Sequence, residues 1–328
     1  MIEVKNITKS FDGVTVLHDV SATFETGKTN LIIGQSGSGK TVMLKSLVGL
    51  MRPEKGKILF DGRDIMSMNT EEVKELRKEI GMLFQGSALF DSETVLGNVM
   101  FPLVMFTGMT RGEMLDRAKF CIERVNLKGA ENKYPSEISG GMQKRVAIAR
   151  AIALNPRYLF CDEPNSGLDP KTSILIDELL SDITHEYNIT TVINTHDMNS
   201  VLGIGENIIF INKGHREWVG NMNEIYNTSN EALNEFVFAT DLFQEVRRYV
   251  TANADIMQFS DVPFHDDVKN RLRGMVDDDR VPHALLLEGP AGAGKFALAR
   301  AMVQYLHCEN RHAGEPCGKC PACVQHQT

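Results

Sequence analysis

The sequence predicts an α/β fold: a mixed sheet around a phosphate-binding loop, an antiparallel β subdomain before it, a helical subdomain inserted after it, and an incomplete second P-loop with a zinc knuckle at the end. Three observations carry that expectation. The apolar run Leu31-Ile32-Ile33 breaks into Gly34-Gln35-Ser36-Gly37-Ser38-Gly39-Lys40-Thr41 and then into Val42-Met43-Leu44, a strand–loop–helix order with the full G-x-x-x-x-G-K-T spacing. Apolar strands that end in polar or acidic residues recur downstream between helical patterns. Cys308, Cys317, Cys320 and Cys323 supply two C-x-x-C steps.

With 328 residues, 42% hydrophobic and 24% charged, the chain can build one large domain or two modest ones. A net charge of −8 argues against a nonspecific nucleic-acid binder, so phosphate binding has to be local. No apolar run approaches the ~20 residues that span a bilayer, and Met1-Ile2-Glu3-Val4-Lys5 is no signal peptide; a cytoplasmic protein is expected. Of the 6 cysteines, Cys121 and Cys161 lie in apolar contexts while the other four cluster, which suggests metal and not a disulfide framework.

Short β-type runs at Ile2 to Val4, Val14 to Leu17 and Val20 to Phe24 read as a small antiparallel sheet. Phe11, in the turn between the first two, suits stacking on an adenine ring or packing on its own sheet. In the loop from Gly34 to Thr41, glycines let backbone N–H groups turn toward a phosphate chain. Lys40 can reach the β- and γ-phosphates, and the Thr41 hydroxyl can ligate magnesium. Strands follow at Gly56 to Asp61 and Ile80 to Phe84, separated by a polar helix from Glu71 to Lys78. The second strand ends at Gln85, which suits a water or magnesium ligand but alone reads as a strand-end glutamine.

Gly86 to Tyr134 is a helical insertion, with Thr110 and Glu113 spaced as a capping box before Leu115 to Val125. It closes on Ser139-Gly140-Gly141-Met142-Gln143, a helix start that offers either a second anion site or an ordinary N-cap. Tyr158 to Asp162 is a strand ending in Asp162 and Glu163, suited to magnesium and to polarising a water. A turn through Asp169, a helix from Lys171 to Tyr187 and a strand from Thr190 to Asn194 lead to His196, which can donate to a γ-phosphate.

Together these pieces resemble the ATP-binding-cassette ATPase family over Met1 to about Val250. By that resemblance Phe11 is the adenine-stacking aromatic, Gly34 to Thr41 the Walker A loop, Gln85 the Q-loop glutamine and Ser139 to Gln143 the signature. Asp162 and Glu163 are the Walker B pair, Asp169 the D-loop aspartate and His196 the switch histidine. The implied cofactors are ATP and Mg2+, the metal held by Thr41, Gln85 and Asp162. Lys40, Gln85, Glu163 and His196 are the implied catalytic residues. The signature reads Ile-Ser-Gly-Gly-Met where the family usually has Leu-Ser-Gly-Gly-Gln, and Val42 replaces a hydroxyl residue near the α-phosphate. Met82 to Phe90, Asn98 to Leu103 and the Gly-Gly-Met of the signature with Met142 look like the Mla-type ATPases, which implies phospholipid transport in a Gram-negative envelope. The resemblance also implies a homodimer, a transmembrane permease, an MCE-type lipid-binding protein and a place on the inner face of the inner membrane.

The tail follows a linker at 251–257. Ala284 to Glu288 reads as a strand and Gly289 to Phe296 as a Walker A loop whose Ser/Thr is Phe296, removing one magnesium ligand. With Phe259 to Val262, Arg280 to Ala284 and the four cysteines, 258–328 resembles the opening stretch of the clamp-loader δ′ subunit of DNA polymerase III. A zinc site is expected there, and the tail reads as a fragment joined by a fused or misassembled reading frame. The competing expectation is a cytosolic assembly protein that this tail recruits to clamp-loader subunits or DNA.

Overall fold

The computed structural model describes residues 1–328 except 253–257, 263–264, 279, 282–286, 288–294, 318–319, 321–322 and 324–328. The chain divides into two compact units, Met1–Val237 and Phe238–Thr328.

In the first unit the chain runs through β1 (Ile2–Phe11), β2 (Val14–Phe24), β3 (Thr29–Ile33), α1 (Lys40–Leu47), β4 (Lys55–Phe60), β5 (Arg63–Asp64), α2 (Thr70–Lys78) and β6 (Ile80–Leu83). The helical subdomain holds α3 (Val95–Phe106), α4 (Arg111–Arg124) and the start of α5 (Gly140–Ile152). Then come β7 (Tyr158–Asp162), α6 (Pro170–Glu186), β8 (Thr190–Asn194), α7 (Met198–Ile204), β9 (Asn207–Asn212), β10 (His215–Gly220) and α8 (Glu231–Val237). One sheet is antiparallel in the order β2-β1-β4-β5, and the other has the order β10-β9-β3-β8-β7-β6. In the second, only the β9–β10 pair is antiparallel.

Two expectations need correcting. Val14 to Phe24 is one strand, because Asp19 takes a left-handed conformation (φ 51°) that bends the strand without ending it. Phe11 is the last residue of β1, paired with Val14, and not part of a free turn. The Thr110–Glu113 capping box forms as expected, with Thr110 N–H donating to Glu113 Oε2 at 2.7 Å.

One apolar cluster joins both sheets through α1. Met43, Leu44 and Leu47 lie between Ile2, Val4 and Phe60 of the antiparallel sheet and Ile32, Phe160 and Val192 of the other. Burying each such side chain contributes roughly 1.5–3 kcal/mol. Phe60 meets Tyr158 edge-on at 4.9 Å between centroids, and the Tyr158 hydroxyl donates to Asp61 at 2.6 Å, so this seam also carries a satisfied polar contact.

The second unit holds α9 (Asp241–Ala252), α10 (Asp266–Asp277) and α11 (Lys295–His307). Phe259, Val262, Leu272, Val276, Leu298, Ala301, Met302 and Tyr305 form its small core. Glu315 accepts the N–H groups of Phe259 and Ser260 at 2.7 and 2.9 Å and pairs with Arg273, tying the turn between Cys308 and Cys317 to that core. Within the expected linker, Thr251 and Ala252 end α9 and 253–257 lie outside the described residues. The expected second Walker A loop over Gly289 to Gly294 also lies outside them, as does its strand apart from Leu287.

Candidate functional site

The order β3-β8-β7-β6 sets four strand ends side by side, and each ends in a residue with chemistry. Parallel strands present their carboxyl ends on one edge, where ligands of α/β sheets bind. β3 runs into Gly34 and the loop to Thr41, β8 into Asn194 and His196, β7 into Asp162 and Glu163, and β6 into Gln85.

Thr29 to Ile33 is buried throughout, so the loop starts from a fixed strand. Gly39, at φ 107°, would place a Cβ 2.9 Å from Leu17 Cδ2, so only glycine lets the chain enter α1 there. Lys40 is 6% exposed, and its Nζ donates to the carbonyls of Gly34 at 2.7 Å and Gln35 at 2.9 Å, which centres the ammonium on the loop. Burial pulls its pKa below the usual lysine value, against the attraction of Glu163 and Asp162. Ser38 Oγ is buried with no hydrogen-bond partner, the orphan a phosphate oxygen would satisfy. Gln35, Ser36 and Gly37 are exposed at the loop tip. Val42 is half-buried against the core, so it offers a ligand only its backbone.

Glu163 holds the centre. Its Oε2 accepts from Gln85 Nε2 at 2.8 Å and its Oε1 lies 3.1 Å from His196 Nδ1. Its backbone is left-handed (φ 46°), rare for a residue with a side chain, and its N–H donates to Asn194 O at 2.9 Å. Asp162 Oδ1 accepts from Asn194 Nδ2 at 2.6 Å, and the same amide reaches Thr41 Oγ1 at 3.3 Å, so Thr41 and Asp162 flank one spot. Oxygen ligands of this kind suit Mg2+.

Asn194 and Lys144 were missed in the sequence. Asn194 is an unlabelled strand end like Gln85, and the same signal, a polar residue closing an apolar run, could have found it. Lys144 is 4% exposed on α5 and its ammonium donates to the Gln85 carbonyl. Burial lowers its pKa, and the nearby Cys161, Glu163 and Asp162 oppose that. It follows the signature by one residue and points back into the core, which no local pattern announces.

Ser139 caps α5 by accepting from Met142 N–H at 3.3 Å. Ser139, Gly140 and Gly141 share a cavity of about 370 Å³ with Asp169, which caps α6 through Thr172 N–H at 3.0 Å. A Cβ on Gly141 would sit 2.6 Å from Thr172 Cγ2, so this glycine lets α5 approach α6. Phe11 is 39% exposed, with the Lys9 ammonium 5.1 Å from its ring centroid.

In the second unit the Sγ atoms of Cys308, Cys317, Cys320 and Cys323 all lie within 4.8 Å of one another. Cys317 N–H donates to Cys308 Sγ at 3.1 Å and Cys320 N–H to Cys317 Sγ at 3.3 Å. The Glu309 and Cys323 backbones lower the Cys320 pKa. Four converging sulfurs fit a tetrahedral thiolate-bound metal.

Comparison with known proteins decides the family of the first unit. The ABC transporter family model matches residues 17–166. The methionine import ATP-binding protein MetN of Clostridioides difficile is 38% identical over 237 residues, covering 72% of this chain and 74% of its own. The chain belongs to the ABC transporter ATP-binding family. Its cassette is also 41% identical over 230 residues to the "Probable ribonucleotide transport ATP-binding protein mkl" of Mycobacterium leprae, covering 70% of this chain. The chain spans 66% of the length of that relative and 64% of its Mycobacterium tuberculosis counterpart. Among solved structures, the dimeric bacterial ABC transporter cassette MJ0796 is 35% identical with a TM-score of 0.63, covering 68% of this chain and 99% of its own. The cbiO1 protein of Clostridium perfringens, part of the cbiONQ transporter complex, is 27% identical with a TM-score of 0.66, covering 76% of this chain and 98% of its own. The DNA polymerase III, delta subunit family model matches residues 264–328.

Proposed function

We propose that this chain hydrolyses MgATP and passes the resulting conformational change to a membrane permease. The observation that carries this is Glu163, held between Gln85 and His196 at the edge where the Gly34–Thr41 loop opens. Glu163 polarises the attacking water, Gln85 orients that carboxylate, and Lys40 with the loop N–H groups holds the phosphates. His196 takes one contact from Glu163 and keeps its other ring nitrogen for the γ-phosphate. Phe11 stacks on the adenine. Thr41, Asp162 and Gln85 would hold Mg2+, which supplies charge neutralisation when bound. Comparing steady-state ATP hydrolysis of the parent and Glu163→Gln tests this: a variant that binds ATP and turns over near the parent rate would sink it.

The exposed Ser139–Gly141 anion site shares its cavity with Asp169 and suits a nucleotide shared between two protomers, so a homodimer is the active form. Phe101, Val104, Met105 and Phe106 leave α3 with an exposed apolar face, 40–59% exposed, which fits a permease segment. No helix among the described residues is long and apolar enough to cross a membrane, so in this reading the permease brings the cassette to the inner face of the inner membrane.

The finer reading, Mla-type phospholipid transport with an MCE-type partner in a Gram-negative envelope, rests on Met82 to Phe90, Asn98 to Leu103 and Met142. The relatives' names speak instead of ribonucleotide transport and of methionine import, so import is the competing direction. Purifying the complex and identifying its bound small molecules separates the two: phospholipid supports the finer reading, and methionine or a ribonucleotide removes it. For the tail we propose a structural Zn2+ on the four cysteines, in a segment of the clamp-loader type that takes no part in hydrolysis.

A further inference from the structure

Behind the row of strand ends lies a closed polar triangle that no motif covers. Asp177, in the middle of α6, is 5% exposed. Its Oδ1 accepts from Asn165 Nδ2 at 2.8 Å and its Oδ2 from Ser200 Oγ at 2.8 Å. Asn165 Nδ2 also donates to Ser200 Oγ at 3.0 Å, which closes the triangle. Asn165 and Ser200 are 9% and 1% exposed, so water contributes little to holding the three together.

The corners of this triangle sit on the backbones that carry the catalytic groups. Asn165 follows Glu163 by two residues, in a turn closed by Ser166 N–H donating to Glu163 O and Leu168 N–H to Asn165 O, each at 3.1 Å. Ser200 belongs to α7, whose N-cap Asp197 comes directly after His196. Glu163 and His196 therefore meet twice: directly at 3.1 Å on the phosphate side, and through Asn165, Asp177 and Ser200 in the interior.

We propose that Asp177 is a positioning residue for hydrolysis, pinning the Glu163 turn to the His196 helix so that the water-polarising carboxylate and the switch histidine stay in register. Apolar contact between α6 and α7 can slide by fractions of an ångström, whereas a buried carboxylate satisfied by two directed donors admits one geometry. A carboxylate in this place is also costly. Burial pushes its pKa up to about 6, opposed by the Ser200 and Asn165 hydrogen bonds, with Asp197 on α7 and Glu178 on α6 adding repulsion. Leucine would fill the volume at less expense, and it would leave the Ser200 hydroxyl without its acceptor and the Asn165–Ser200 bond as the one side of the triangle still standing.

The inference rests on the ATPase reading, and the experiment separates the two. In the purified full chain, Asp177→Leu should lower kcat roughly tenfold to a hundredfold with KM for MgATP within about twofold, because the phosphate loop is built elsewhere. Amide hydrogen exchange should rise together in residues 163–169 and 196–204. Asp177→Asn should keep kcat, since with the Asn165 amide turned over the new Nδ2 donates to Asn165 Oδ1 while the new Oδ1 still accepts from Ser200 Oγ. Ser200→Ala, which removes both bonds of the triangle that reach α7 with a smaller change of volume, should move both readouts in the direction of Asp177→Leu, and it decides the matter if the leucine variant does not fold. Folded Asp177→Leu with parental kcat and parental exchange overturns the proposal, as does Asp177→Asn losing as much activity as the leucine variant. A parent chain that hydrolyses no ATP overturns the ATPase reading instead, and the exchange data then decide the link alone.

Discussion

The two units of this chain solve the same problem, fixing polar groups in space, by opposite means. In Met1–Val237 a large apolar cluster spans two sheets, and the reactive groups Glu163, Asp162, His196 and Gln85 sit on the ends of strands whose interiors are buried. Among the described residues of Phe238–Thr328 eight buried ones make the core, and four cysteine sulfurs gather within 4.8 Å of one another. A short segment buries too little apolar surface to be stable alone, and the zinc proposed for the four cysteines would supply the deficit. The difference teaches that clustered polar side chains mean chemistry where a core already holds them, and structure where the cluster replaces a core.

The sharpest way to break this comparison is at Glu163. Glu163→Gln should cut ATP hydrolysis roughly 100- to 10,000-fold while leaving nucleotide binding and thermal stability near the parent values, because the strand beneath it is untouched. Unfolding of that variant would mean that the group is structural. Next in size is the zinc. Cys317→Ser with Cys320→Ser should abolish about one bound zinc per chain and remove the exchange protection of α10 and α11, with ATP hydrolysis unchanged. Metal analysis that finds no zinc in the parent, or truncation after Val250 that eliminates hydrolysis in a folded protein, would erase the contrast.

A smaller effect sharpens the picture of the first unit. Between the ordinary 3.8 of an unfolded aspartate and about 6, the folded protein holds a proton at Asp177 that the unfolded chain has released. Stability therefore falls as pH rises through that window, by up to about 3 kcal/mol above it. Asp177→Asn should be more stable than the parent at pH 7.5 and about equal to it near pH 3.5, in denaturant titrations at both. A gain that does not depend on pH would remove the carboxylate from the explanation. The smallest change is expected at the surface: Phe11→Ala should raise KM for ATP roughly threefold to tenfold by removing one stacking face, with kcat unaltered.

Much of the first unit was legible because its parallel strands are buried on both faces. Tyr158–Asp162 and Thr190–Asn194 run where their apolar stretches predicted, since such strands are continuous hydrophobic runs with sharp ends. β1 extends well past Val4, through Lys5 and Lys9, because an antiparallel strand with one wet face carries polar residues that look like loop. β9 and β10 were not anticipated, and β10 pairs on one side only, with mostly exposed residues. The site divides in the same way. Lys40, Glu163 and His196 stand at breaks in pattern and could be found. Asp177 lies inside α6 between Ile176 and Leu179, and only the fold reveals that it faces Asn165 and Ser200.

The strand order has a consequence for how the chain is made. β3, which carries the phosphate-binding loop, pairs only with β8 and β9. As the ribosome extends the chain, residues 29–33 thus wait without a neighbour until residue 190 and beyond have emerged, and β7 lacks its partner on that side for the last, shorter part of that interval, from residue 162 to residue 190. At about 5–20 residues per second the longer wait is a delay of the order of ten seconds, with apolar strand edges exposed. A nascent chain stalled before β8 would hold an intact loop sequence and no nucleotide site, and its unpaired edges would be the surfaces that chaperones have to cover.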